Sequence, residues 1–314
     1  MNKHKIIFFG SPYYAIPILD KIISLGHDVV LVVSQVTNSI KRGQVSRTAV
    51  SEYCLNKNIR CITPENLDKV CINEIVSCNA DMGIIYAYGK ILPIELIKIF
   101  KFGIMNLHCS LLPLYRGAAP IQHALMNDDS LTGITYFEIN EKLDRGKIIL
   151  SEVYKIKESD NCTTLQDNLT KLAVDKCELA IKNMTEKTFI KDSNNTKTSY
   201  AQKIKKHDSE VTWDMDIRRI FNIIRALHIW PVASLVICGE NIKVLEASCE
   251  MIDHSFTPGS ILRFDKKELT ITAKGGLLSI LKLQLEGKKP ISNRDLFNSN
   301  HHFKEKLLNS CINI

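Results

Sequence analysis

Residues 105–122 read M-N-L-H-C-S-L-L-P-L-Y-R-G-A-A-P-I-Q. In an extended chain successive side chains alternate sides, so Asn106, His108 and Ser110 are expected to share one face. Met105, Leu107 and Cys109 then turn to the opposite, apolar face. The strand is expected to end before Pro113, which places an amide, an imidazole and a hydroxyl at its carboxyl end. Open α/β sheets hold their ligands at that end of a parallel strand. The three groups suit acyl transfer, which needs donors for a developing oxyanion and an imidazole that gives or takes a proton near neutrality.

Plainer readings compete with this one. A lone histidine among apolar residues is ordinarily a packed core residue, and Ser110 is equally a turn residue bonding its own backbone. Asn106 projecting with His108, followed by the turn Arg116-Gly117-Ala118-Ala119-Pro120, is harder to assign to packing. Downstream, T-G-I-T-Y-F-E-I-N reads as a strand from Gly133, and Leu143-Asp144-Arg145-Gly146 as the turn that closes it. Asp144 in that turn becomes a third member of the site only if the two strand ends meet in space.

Outward from this stretch, the first half alternates short apolar strands with helices, as parallel α/β folds do. Strands are expected at K-I-I-F-F near the amino terminus, at Asp28 to Ser34 and at Met82 to Ala87. Helices are expected at Ala15 to Leu25, Val45 to Asn56, Ile94 to Phe100 and Thr163 to Asn183. In the last of these, Leu165, Leu169, Leu172, Ala173, Leu179 and Ala180 form an apolar stripe of core type. The single Gly10 after the first strand does not make G-x-G-x-x-G, so this Rossmann-like layout lacks the dinucleotide fingerprint and a nicotinamide oxidoreductase is disfavoured. Lys191 to Lys206 is polar and rich in turn formers, as a linker is. Beyond it come a helix near Ile217 to Leu227 and five β-like runs: Ala233 to Cys238, Asn241 to Ala247, Gly259 to Arg263, Leu269 to Ala273 and Leu277 to Leu285. By pattern this is a small β-domain. The expected domains are therefore residues 1–190, a linker 191–206, and residues 207–314.

The motifs resemble those of the formyl-tetrahydrofolate transferase family. Asn106, His108 and Ser110 to Pro113 match its Asn-x-His-x-Ser-Leu-Leu-Pro block, and Asp144 and Gly146 its Asp-x-Gly turn. The run Tyr115 to Gln122 is similar to the methionyl-tRNA branch in particular. Ile6 to Pro12 resembles the family's first strand and turn, and Ala87 to Pro93 a folate-pocket segment. Ile224-Arg225-Ala226, Trp230-Pro231 and Gly287-Lys288-Lys289-Pro290 resemble marks of its carboxy-terminal domain, so the likeness runs from about residue 5 to about residue 300. Cys109 departs from the small residue expected between the family's His and Ser.

The resemblance implies an OB-like carboxy-terminal domain. It also implies transfer of the formyl group of 10-formyltetrahydrofolate to the α-amino group of initiator methionyl-tRNA, without a metal and in a monomer. A sister activity on a sugar amine or glycinamide ribonucleotide is the alternative, and a noncatalytic RNA-binding module a more distant one. Asn106 and His108 would donate to the tetrahedral oxyanion, with Asp144 orienting or charge-coupling His108. The folate would lie against Tyr88, Gly89, Lys90, Ile91 and Leu92, and against Ser110, Leu111, Leu112 and Pro113. The segment Gln35 to Thr48 is shorter than the family's basic loop and lacks prolines, but keeps Lys41-Arg42-Gly43.

Composition agrees. With 314 residues, 45% of them hydrophobic, the chain can bury a large core. No stretch approaches the roughly 20 apolar residues that span a bilayer, and M-N-K-H-K leads straight into a short strand rather than an export signal. A cytosolic enzyme is the expectation. The ten cysteines include no C-x-x-C pair and fit neither a zinc site nor a disulfide framework, so they read as small buried residues. A net charge of +7 is modest for a nucleic-acid binder. The denser basic groups, Lys41, Arg42 and Arg47 in one stretch and Lys203, Lys205 and Lys206 in another, are the candidates for contact with an RNA backbone.

Overall fold

The computed structural model describes residues 2–37, 40–41, 44–45, 47–190 and 197–312. Arg42, the Lys41 side chain and the first part of the expected linker, 191–196, lie outside the described residues. Two compact units divide the chain. One comprises Met1–Gly117, Leu131–Lys155 and Gln166–Tyr200; the other comprises Ala118–Ser130, Ile156–Leu165 and Ala201–Ile314.

Among the described residues, ten strands precede residue 160: β1 Lys5–Gly10, β2 Asp28–Val33, β3 Ile40–Lys41, β4 Gln44–Val45, β5 Cys61–Ile62, β6 Met82–Tyr86, β7 Ile104–His108, β8 Arg116–Gly117, β9 Leu131–Glu138 and β10 Ile148–Lys155. Seven of them form one sheet in the order β10-β9-β7-β6-β1-β2-β5. From β7 to β5 the neighbours run parallel, whereas β9 runs antiparallel to both β7 and β10. The expected Rossmann-like sheet is therefore present, with a mixed edge. The helices of this region are α1 Ile16–Ser24, α2 Ala49–Asn56, α3 Lys69–Ser77, α4 Ile94–Ile97, α5 Pro120–Met126 and α6 Cys162–Thr185.

Side-chain alternation explains the layers. Ile7 and Phe9 of β1 and Leu31 and Val33 of β2 share a buried cluster with Cys71 and Ile75 of α3 and Leu96 of α4. Burying one such Phe or Leu is worth roughly 1.5–3 kcal/mol, so central strands apolar on both faces suit a covered sheet. The 24-residue α6 is tied to the strands through polar groups as well. Tyr86 Oη lies 2.8 Å from Thr170 Oγ1, and Tyr136 Oη donates to the Ala173 carbonyl at 2.8 Å.

Two details differ from the sequence reading. The helix expected from Val45 starts at Ala49, because Thr48 is its cap, its hydroxyl accepting from Ser51 N–H at 3.1 Å, while Gln44–Val45 pairs with Ile40–Lys41 as a short hairpin. Helix α3, capped by Asp68, and strand β10 add to the elements expected from the sequence.

In the second unit β12 Ser234–Ile237, β13 Glu240–Met251, β14 Ile261–Phe264, β15 Leu269–Ala273 and β16 Gly276–Leu285 form an antiparallel sheet in the order β12-β13-β16-β15-β14, with β17 Ile291–Ser292 added to β16; the intervening β11 is Tyr200–Ala201. Register shifts in β13 and between Ile261 and Arg263 bend it into the curled, half-barrel form of an OB-like domain. Helix α7, Ile217–Ala226, carries the Ile-Arg-Ala motif. Arg225 is buried there: its Nε donates to Asn222 Oδ1 at 2.9 Å and its Nη1 to the Lys157 carbonyl at 3.3 Å. Helices α8 Asn293–Asn298 and α9 His302–Ser310 close the described chain. No helix among the described residues is long and apolar enough to cross a membrane.

Candidate active site

Strand β7 ends at His108, and the next seven residues form a loop held from three sides. Ser110 Oγ donates to the Leu114 carbonyl at 2.6 Å. Thr135 Oγ1, on the neighbouring β9, donates to the Ser110 carbonyl at 2.6 Å and accepts from Leu112 N–H at 3.1 Å. Ser199 Oγ accepts from Tyr115 N–H at 2.8 Å, and the Ser199 carbonyl accepts from Arg116 N–H at 2.9 Å. The loop thus keeps its buried polar groups paired without belonging to a sheet, as buried backbone must be.

His108 Nε2 lies 2.8 Å from the Tyr115 carbonyl oxygen. A carbonyl only accepts, so Nε2 carries the proton, and in the neutral ring Nδ1 is the acceptor. The ring is 7% exposed, and burial lowers its pKa below the ordinary histidine value. The Asp144 carboxylate and the Tyr115 carbonyl act in the opposite direction, each favouring the charged ring. Neutral His108 has no second N–H, so in that state its free ring nitrogen is an acceptor.

Asp144 is 9% exposed, and its Oδ2 accepts from Gly117 N–H at 2.7 Å. The strand ends that carry His108 and Asp144 therefore meet, and both residues are fastened to one short stretch of backbone, 115–117. Asp144 takes a positive φ of 48°, a region that Asp tolerates better than most residues. Gly146 must be glycine for a different reason: a Cβ there would fall inside the Glu138 carbonyl. Asn106, one alternation before His108, is half-buried and pairs with Phe137 of β9 and Ile85 of β6.

Ser110 bonds the Leu114 carbonyl, next in the chain to the Tyr115 carbonyl that His108 bonds. It lies past the end of β7, fully buried, in the turn-residue arrangement. Cys109 contacts Tyr86 Oη at 3.4 Å and Gln166 Nε2 of α6 at 3.7 Å. Its surroundings are a small buried polar cluster rather than the purely apolar face expected, and burial pushes its thiol pKa up.

Among the residues of the folate-pocket segment, Tyr88 and Leu92 belong to the core beside α3 and α4. Lys90 is engaged as well, its Nζ donating to the Pro64 and Glu65 carbonyls at 2.9 and 2.6 Å. Gln35 Nε2 donates to the Tyr88 carbonyl at 2.5 Å and lies where a Cβ on Gly89 would be. That leaves Ile91, 89% exposed, as the side chain of this segment open to a ligand. Leu111 and Pro113 are half-buried and Leu112 is buried. Of the basic residues, Arg47, Lys203, Lys205 and Lys206 are exposed.

Sequence reasoning missed Thr135, Tyr115 and Ser199. Thr135 was legible as the inward-facing polar residue of an apolar strand. Ser199 carried no signal beyond its place in a polar linker.

Two family models match this chain. One, described as formyl transferase, covers residues 4–180, and the other, the formyl transferase C-terminal domain, covers residues 203–301. The chain belongs to the formyl transferase family. Its relatives include proteins named methionyl-tRNA formyltransferase. That of Thermodesulfovibrio yellowstonii is 37% identical over 286 residues, covering 90% of this chain and 92% of the relative. That of Caldicellulosiruptor saccharolyticus is 35% identical over 299 residues, covering 93% and 96%. Among solved structures, HypX from Aquifex aeolicus in complex with tetrahydrofolic acid shares the fold with a TM-score of 0.67 at 15% identity; the match covers 94% of this chain and 47% of HypX, so this chain spans about half that length. The sugar 3N-formyl transferase WlaRD has a TM-score of 0.65 at 20% identity, over 92% of this chain and all of WlaRD.

Proposed function

We propose that this enzyme transfers the formyl group of 10-formyltetrahydrofolate to the α-amino group of initiator methionyl-tRNA, acting as a cytosolic monomer in translation initiation. The observation that carries the reading is the joint anchoring of His108 and Asp144 on residues 115–117, beside Asn106. The acceptor is supported by relatives named for methionyl-tRNA that match nine-tenths of the chain, and by the C-terminal family domain over residues 203–301. We assign residues 1–190 to formyl transfer and 207–314, with the exposed Lys203, Lys205 and Lys206, to the RNA.

The neutral amine attacks the formyl carbon, and Asn106 donates from its side-chain amide to the oxygen as that gains negative charge. One such donor is worth roughly 10²–10³ in turnover. His108, its Nε2–H fixed on Tyr115, accepts at Nδ1 the proton that the amine loses. Asp144 stabilises the resulting imidazolium, which then protonates the departing nitrogen as its bond to the formyl carbon breaks. A positioned base of this kind contributes roughly 10²–10⁴. No covalent bond to the enzyme forms. Ile91, Leu111 and Pro113 would flank the formyl donor.

The test is an acceptor comparison, with 10-formyltetrahydrofolate as donor and methionyl-tRNA, free methionine or a nucleotide-linked amino sugar as acceptor. Formyl label is expected on methionyl-tRNA. Preferential labelling of the sugar amine would overturn the acceptor assignment and leave the formyl transfer chemistry in place.

A further inference from the structure

A basic cluster adjoins the turn that carries Asp144. Arg145, the next residue, donates from Nη2 to Tyr200 Oη at 2.6 Å. Arg116 bonds the same hydroxyl, and the two guanidiniums draw the phenol pKa down. Among the described residues, neither arginine has a carboxylate within ion-pair distance, unlike Arg60, Arg218, Arg225 and Arg263, each of which does. Arg116 Nε is buried with no hydrogen-bond partner. Two cations thus converge on a neutral oxygen, and among the described residues no carboxylate pairs with either. An anion bound there would be held by both.

We infer that Arg116, Arg145 and Tyr200 form a clamp for the last phosphodiester of the acceptor RNA, the one joining its final two nucleotides. Guanidinium forks match phosphate oxygens in pairs, which an ammonium cannot do. The Tyr200 ring is 52% exposed, and an exposed aromatic face beside a phosphate site suits an unpaired base, as single-stranded RNA is commonly held. The clamp is also correctly placed. Arg116 precedes Gly117, whose N–H holds Asp144, and Arg145 follows Asp144 in the chain. A phosphate gripped there fixes the terminal nucleotide, and with it the esterified amino acid, near the catalytic turn.

The inference rests on the acceptor being an aminoacyl RNA, so the test has two arms. In the first, kcat/KM is compared for the methionyl ester of the dinucleotide CpA, which has the phosphate, and of adenosine, which lacks it. Arg145→Ala is expected to lower the ratio of the two about ten-fold, the usual scale for losing a charged hydrogen bond, and Arg145→Lys to fall between. In the second arm, unacylated CpA binds without turnover, and its Kd is expected to rise about ten-fold in Arg145→Ala and several-fold in Tyr200→Phe. An unchanged ratio and unchanged CpA binding would overturn the clamp. So would a loss of affinity for polyglutamylated folate in place of CpA, which would assign the cluster to the donor's carboxylates. If the wild type formylates neither ester, the acceptor assignment fails, and CpA binding still decides whether the clamp exists.

Discussion

His108 Nε2 donates to the Tyr115 carbonyl over 2.8 Å, and Tyr115 is seven residues further along the same chain. This bond sets the tautomer, and so decides which ring nitrogen is free for chemistry. His108→Ala is expected to lower kcat by roughly 10²–10⁴ and stability by about 1 kcal/mol, since one buried carbonyl loses its donor. Near-normal turnover in the variant, or a protein that no longer folds, would return His108 to the role of a core residue.

The pH profile follows from the surroundings of His108. Burial holds its pKa below the ordinary 6.5, so the ring is neutral at pH 7 and becomes protonated only as pH falls through the lowered value. Protonation removes the base, and kcat/KM is expected to drop on that acid limb. Asp144 favours the charged ring, so Asp144→Asn lowers the pKa further and is expected to move the limb to lower pH while reducing the plateau. A shift to higher pH would contradict the assigned coupling.

Thr135 bonds two backbone groups of the catalytic loop from β9. In Thr135→Val the shape is kept, but the Ser110 carbonyl and Leu112 N–H lose their partner. The variant is expected to be less stable by about 2 kcal/mol or more, read as a lower urea midpoint at constant slope, with a reduced kcat. A midpoint equal to wild type would show that the loop is held by other contacts.

Cys109 follows His108 in sequence yet contacts Tyr86 and Gln166. Burial raises its thiol pKa, the reverse of what a nucleophile needs. Cys109→Ala is expected to keep most activity, and the native thiol to resist alkylation at neutral pH until the chain is unfolded. A formyl-thioester trapped on Cys109 would refute direct attack by the amine.

Much of this architecture was legible from apolar runs and one helical stripe. Short apolar runs marked β1, β2, β6 and β9, alternation marked β7, and the 3.6-residue stripe marked α6, because a covered sheet demands such patterns. The motif residues Asn106, His108 and Asp144 were readable one by one. The connection of His108 to Asp144 was not, since it runs through backbone atoms of residues 115–117, whose identity the chemistry barely constrains. Ser110 lies two residues past the end of β7, and of its two sequence readings the turn bond to nearby backbone is the one its hydroxyl makes. Strand β10 went unread because Ile148–Lys155 mixes buried and exposed positions at the sheet edge. Tyr88 and Leu92 lie in a segment that resembles a folate pocket, yet their side chains build the core, a distinction only packing reveals.

The central claim is that Asn106 stabilises the oxygen of a formyl group passing directly to methionyl-tRNA. The most direct measurement is single-turnover formylation of that acceptor by wild type and Asn106→Ala, with saturating 10-formyltetrahydrofolate. Wild type is expected to yield formyl-methionyl-tRNA, and Asn106→Ala to do so roughly 10²–10³ times more slowly with donor affinity unchanged. Equal rates in a well-folded variant, or no formyl-methionine from the wild type, would contradict the account.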